Sequence, residues 1–209
     1  MTGRAIALTL AVLCAGCTHS PARSLIERFG PQETVAGFDV CSDYGCFKRT
    51  SVSLGEAEWA EVRALFAPAP QGAPEERERI RQAVAMLETM IGPKAGTEHD
   101  EAGAAIINFD TRGQMDCIDE AYNTSTYLGL MAADHLLRFH DVGVPVRRGY
   151  ILNRWPHNTA TIADRSGSAE YAVDSWYHAN GAMPDVVPLQ EWLDGWHPPE
   201  DVQTAAAAN

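Results

Sequence analysis

The chain has 209 residues, enough for one domain of ordinary size with a full hydrophobic core. Its 45% apolar and 21% charged residues are the composition of a globular protein and exclude an intrinsically disordered chain. The net charge is -12 and the Lys and Arg residues are scattered without a basic run. That excludes a nucleic-acid partner, which needs clustered positive charge.

Taken in chain order, the first element is a targeting segment. Arg4 supplies a short positive region, and residues 5–13 form an apolar run too short to span a bilayer. Cys14-Ala15-Gly16-Cys17 follows. The small pair before Cys17 is similar to a bacterial lipoprotein processing box, with Cys14 standing where Leu or Val is usual. Residues 1–16 then leave as a signal peptide and Cys17 carries the lipid; plain secretion after a small residue is the alternative. The expected location is the bacterial cell envelope, on the periplasmic side, with a lipid anchor. Residues 17–36 read as a polar tether, 37–200 as a single domain and 201–209 as a frayed Ala-rich tail.

Within the domain, residues 38–52 suggest a hairpin carrying Cys41 and Cys46. Residues 56–66 place Trp59, Val62, Leu65 and Phe66 on a helical period, with Ser53 as the cap. Residues 67–74 break the chain. Residues 75–91 are the clearest helix, with Ile80, Val84, Leu87 and Ile91 on one face and Gly92-Pro93 as its end. An irregular loop over 94–113 leads to a helix from Cys117 to about His140, whose buried side carries His135, Leu136 and Phe139. Strands are expected over 144–152, 158–163 and 170–174. Helices first and an antiparallel set of strands after them predict an α+β fold.

Five cysteines sort by position. Cys14 leaves with the signal and Cys17 is the lipidation site. Cys41 and Cys46, flanking Asp43, Tyr44 and Gly45, read as a local disulfide in an oxidising compartment; two reduced thiols or half of a metal site are the alternatives. Their spacing is not the two-residue gap of a thioredoxin-like redox pair. Cys117 is left over, an unpaired thiol in an exported protein.

Cys117 precedes a helical pattern, so it stands at a helix N-terminus, where unpaired N–H groups and the dipole favour a thiolate and an oxyanion. Asp116, Asp119 and Glu120 suit the dipole, yet their charges oppose the thiolate. His157 follows Pro156 at the start of a strand and can form an ion pair with the thiol. Asp174 ends the next strand, where it can face His157 across the ladder and fix its ring. Gln114, three residues before Cys117, carries an amide suited to an oxyanion, and Asn158 another. Trp155, Trp176 and Tyr177 are candidates for the cleft wall.

In this order, Cys at a helix start, His opening a strand and Asp ending the following one, the segment 113–176 resembles the transglutaminase-like, papain-type fold. The stretch Gly143-Val144-Pro145-Val146-Arg147-Arg148-Gly149-Tyr150 is similar to the family's passage into the His strand. The nearest resemblance is to the bacterial transglutaminase-like cysteine proteinases and their exported relatives, although Asn158 and Thr159 stand where a Trp is frequent. The resemblance implies N-terminal helices packed on an antiparallel β-sheet. It also implies a Cys117–His157–Asp174 triad that acts on amide bonds of envelope proteins or peptides through an acyl-enzyme. A non-catalytic envelope lipoprotein that binds a protein or peptide on the same scaffold is the alternative. No cofactor and no metal are expected. His135 and His140 do not share a helix face, and His99, His178 and His197 are dispersed. Asp100, Asp110, Asp116, Asp119 and Glu120 lack a calcium-loop spacing and read as solvated acidic surface.

Overall fold

A computed structural model describes residues 20–29, 33–105, 112–149, 156–167 and 169–199. The signal segment with Cys14 and Cys17, and Asn108, Asp110, Trp155 and the tail 201–209, lie outside the described residues.

The architecture is α+β, with antiparallel pairing throughout. In chain order the elements are α1 (Pro21–Phe29), β1 (Phe38–Ser42), β2 (Lys48–Val52), α2 (Glu56–Leu65), α3 (Ala73–Ala95), α4 (Cys117–Ala133), β3 (His140–Val142), β4 (Val146–Arg148), β5 (His157–Asp164), β6 (Glu170–Asp174), β7 (Asp185–Pro188) and α5 (Leu189–Leu193). β1 and β2 form a hairpin. The larger sheet runs β3-β5-β6-β7, with β4 also paired to β5. β3 pairs with the far end of β5 and β4 with its first residues, so the two short strands follow one another along the same edge. Of the strand expected over 144–152, β4 covers Val146–Arg148 and residues 150–152 lie outside the described residues, while β3 precedes the expected strand. Pro145 has no N–H to give a ladder, and Gly143 bends in to donate to the Thr161 carbonyl at 2.9 Å.

The core lies between α3, α4 and the sheet. Ile80, Val84, Leu87 and Ile91 are buried on α3, as their period requires. They meet Tyr127, Leu128 and Met131 of α4 and Ile162 of β5 in one cluster. α3 does not stop at Gly92-Pro93. It continues to Ala95 and is closed by Gly96 in the left-handed conformation, φ 80°, whose N–H returns to the Gly92 carbonyl. α2 starts from Gly55 rather than Ser53, and the Glu58 side chain accepts from the Gly55 N–H at 2.7 Å.

Two boundaries differ more. α4 ends at Ala133, and His135, exposed with φ 59°, turns the chain out of the helix. Leu136 and Phe139 belong to the run into β3. The stretch expected as a tether also contains α1, which packs on α4 and β5 with Ala22 and Ser20 fully covered.

Glu76 on α3 holds the entry to β3. Its buried carboxylate accepts from the N–H groups of Arg138, Phe139 and His140 and pairs with His140 Nδ1 at 2.9 Å. Burial alone would raise its pKa, but His140 and these N–H donors outweigh it, and the net shift is downward. A depressed carboxyl stabilises the fold above its ordinary titration range, and that stability is lost as pH falls through the depressed value. Glu76→Gln is expected to cost roughly 2–4 kcal/mol in urea unfolding at neutral pH, because it strands buried donors and His140. An unchanged midpoint would remove Glu76 from this role.

Candidate active site

Cys117 is the first residue of α4, and its surroundings are built to hold that turn. The Asp116 side chain caps the helix by accepting from Ile118 N at 2.9 Å and Asp119 N at 3.1 Å. Asp119 closes the capping box on Asp116 N, and it also accepts from Tyr44 N at 2.9 Å and Cys46 N at 2.5 Å. Those donors lie in the β1–β2 turn, which the Cys41–Cys46 disulfide closes. The turn reaches the helix approach a second time: Asp43 accepts from Gly113 N at 2.8 Å and donates its own N–H to the Gln114 carbonyl at 2.9 Å. Gly113 has φ 81°, and a Cβ there would strike the Gly96 carbonyl, so only glycine fits. The disulfide therefore clamps the loop that delivers the thiol. Cys41, Cys46 and Asp119 are also close enough to share an ion, but the two sulfurs are already bonded to each other.

His157, the first residue of β5, hydrogen-bonds through Nε2 to Asp174 Oδ2 at 2.7 Å. Burial would push the imidazole pKa down. The Asp174 charge and hydrogen bond, together with a hydrogen bond and charge from the Cys117 sulfur, overcome this and raise it to about 9. With Nε2 on the carboxylate, Nδ1 is the nitrogen left for the sulfur. The two strands do not set His157 and Asp174 directly opposite. Their register pairs Ala160 with Val173, and continued by one step it places Asp174 across from Thr159. The pair is diagonal, on the same face, and the side chains bridge the offset. Trp192 of α5 donates its Nε1 to the same Asp174 Oδ2 at 2.6 Å. The His157 ring lies among Trp176, Tyr177 and Trp192, with centroids at 4.8, 5.3 and 5.4 Å.

Asn158 donates its Nδ2 to the Cys117 sulfur at 3.5 Å, while its Oδ1 accepts from Ser20 Oγ at 2.9 Å. Ser20 thereby fixes which end of the amide faces the thiol. The Gln114 amide is engaged elsewhere: Nε2 donates to the His99 carbonyl at 2.8 Å and Oε1 accepts from Glu101 N at 3.0 Å. Gln114 thus ties down the 99–101 loop, and Asn158 supplies the amide next to the sulfur. Nothing in the sequence marks Ser20 or Trp192 as a site residue. Neither carries a motif, and both come from segments distant in the chain.

The acidic residues are not a solvated surface. Asp100, Asp119 and Glu120 are buried, together with Glu88 of α3. Asp100 accepts from Met115 N at 2.5 Å, and among the described residues Glu120 Oε2 and Glu88 Oε1 have no hydrogen-bond partner. Burial raises Glu88, Asp119 and Glu120 well above the ordinary range, with neighbouring carboxyls adding to it. It pushes Asp100 up to about 8. The upward shift of Glu120 favours its neutral form, which weakens its expected opposition to a thiolate at Cys117. Asp100 stabilises the fold fully below its ordinary value near 3.8, and that stability is lost as pH rises through about 8. The melting temperature should fall between about pH 4 and pH 8, and the fall should be smaller in Glu120→Gln and Asp100→Asn. An identical pH dependence in all three proteins would contradict this.

The thiol opens onto a cleft of about 360 Å³ lined by Pro21, Ala104, Ile118, Arg147, Pro156 and Trp176 among others. Its walls are largely apolar, and Trp176 is anchored by its Nε1 bond to the Ala104 carbonyl at 2.7 Å. Comparisons of the chain with protein-family models, with curated proteins and with solved structures gave no match.

Proposed function

We propose that the protein is a thiol enzyme of the transglutaminase-like kind, in which Cys117, His157 and Asp174 act as a triad on amide bonds of proteins or peptides. The observation that carries this reading is His157, which bonds Asp174 through one ring nitrogen while its other side meets the Cys117 sulfur. His157 takes the Cys117 proton, and the sulfur attacks the carbonyl carbon. The oxyanion is held by the Cys117 N–H, which as the first of the helix has no acceptor within it, and by Asn158 Nδ2. The tetrahedral species collapses, the C–N bond breaks and His157 returns the proton to the leaving amine. Water or a second amine then attacks the thioester, with His157 as base, and releases an acid or a new amide.

Under this reading the enzyme works in the cell envelope, anchored through a lipid on Cys17. Three residue steps separate Cys17 from Ser20, at most about 10 Å of extended chain. Ser20 is bonded to Asn158 beside the thiol, so the cleft would be held against the membrane surface.

The reading is tested by trapping the thioester: brief incubation with peptide amides, acid quench and intact-mass measurement. An acyl adduct on Cys117 is expected. Asn158→Ala should lower kcat on the order of 10²-fold with KM little changed. Acyl transfer at the normal rate without a Cys117 adduct would overturn the proposal.

A further inference from the structure

The cleft holds one feature that the triad does not use. Arg147 lines it together with Cys117, Asp116 and Asn158. β4 pairs Arg147 directly with Asn158, and Asn158 Nδ2 touches the Cys117 sulfur at 3.5 Å. Cross-strand partners on one face have their Cβ atoms about 5 Å apart, so the guanidinium starts within one side chain's reach of the acyl position.

Strand alternation explains why this arginine is available and its neighbour is not. Val146 and Arg148 face α5. Arg148 stacks over the Trp192 ring at 4.2 Å, donates to the Trp192 carbonyl, and donates to the Tyr177 hydroxyl at 2.7 Å. Val146 packs on the same Trp192 cluster. Arg147, between them, takes the opposite face and forms no salt bridge among the described residues. Asp116, the other charged group in the cleft, turns one carboxylate oxygen, Oδ1, to the N–H groups of Ile118 and Asp119. A half-buried guanidinium with open donors beside small apolar walls is suited to a carboxylate, which it can grip with two parallel hydrogen bonds.

We propose that Arg147 forms a carboxylate-binding subsite, so that the acyl donor carries a carboxylate next to the scissile amide. The subsite rests on the reading of Cys117 as the acyl acceptor. It selects substrates by charge in a protein whose net charge of -12 otherwise repels anions.

The test compares two alkylating probes of similar size, iodoacetate and iodoacetamide. Each reacts by attack of the Cys117 sulfur on the CH2 carbon, with the C–S bond forming as the C–I bond breaks and iodide leaves. Only iodoacetate carries a carboxylate. In the full-length protein in carboxylate-free buffer, the iodoacetate-to-iodoacetamide rate ratio is expected to fall about tenfold in Arg147→Ala and to recover in part in Arg147→Lys. An unchanged ratio overturns the subsite. Because it is a ratio, it remains readable even if the thiol reacts slowly and the enzyme reading fails. A second arm needs no variant: small peptides are used to protect wild-type Cys117 from iodoacetamide. Protection by a peptide with a free C-terminal carboxylate assigns the subsite to a chain end. Protection by an amidated peptide bearing Asp assigns it to a side chain. Equal weak protection by neutral amides overturns it.

Discussion

Cys117→Ala is expected to abolish acyl transfer, by at least about 10³-fold, with the fold retained. The remaining groups cannot replace the sulfur. Asn158 is an amide, and no other free cysteine is present among the described residues. Cys117 is partly exposed at the first position of α4, so alanine leaves no deep cavity and keeps the Asp116 cap. The check is turnover of a peptide amide together with the melting temperature. Lost turnover with a melting temperature within about 2 °C of wild type is the expected pair. Undiminished turnover would remove the thiol from the mechanism.

The second large effect belongs to Asp174. Its buried carboxylate accepts from His157 and Trp192 on one oxygen, and its charge is the main favourable influence that lifts His157 to about 9 against desolvation. Asp174→Asn keeps the shape and removes the charge, so burial should then pull the imidazole down and the wrong tautomer can be held. Activity is expected to fall on the order of 10³-fold. In the proposed mechanism the alkaline limb of the kcat/KM profile reports loss of the His157 proton; it is expected near pH 9 in wild type and should move to lower pH. The same linkage affects stability. A raised histidine stabilises the fold fully below its ordinary value of 6.5, and that contribution is lost as pH rises through about 9. Ring-proton titration of His157 in both proteins measures the shift, and a value near 9 in Asp174→Asn would contradict this account.

Much of this was legible from residue types. The α3 period, the β6 bounds, the Cys41–Cys46 pairing and the Cys-His-Asp order all follow from local rules of spacing and turn chemistry. What local pattern misses is tertiary. α4 is covered on almost every side, so hydrophobic periodicity could not mark its end, and His135 in a left-handed turn decided it. A run of acids looks solvated in sequence, but Glu88, Asp100, Asp119 and Glu120 come from three places in the chain to one buried cluster. Gln114 and Asn158 are equivalent amides on paper. The 99–101 backbone claims the first, and Ser20 orients the second toward the sulfur. In the sequence α1 reads as tether because it is short and polar; its docking on α4 and β5 gives it its place.

In the proposed mechanism Cys117 and His157 work as a pair. The direct measurement is the rate of iodoacetamide alkylation of Cys117 at pH 6, in wild type and in His157→Ala. A charged imidazole beside the sulfur should make wild type react at least about tenfold faster than the variant and faster than a free cysteine peptide. Equal rates in the two proteins, both matching the free thiol, would contradict it.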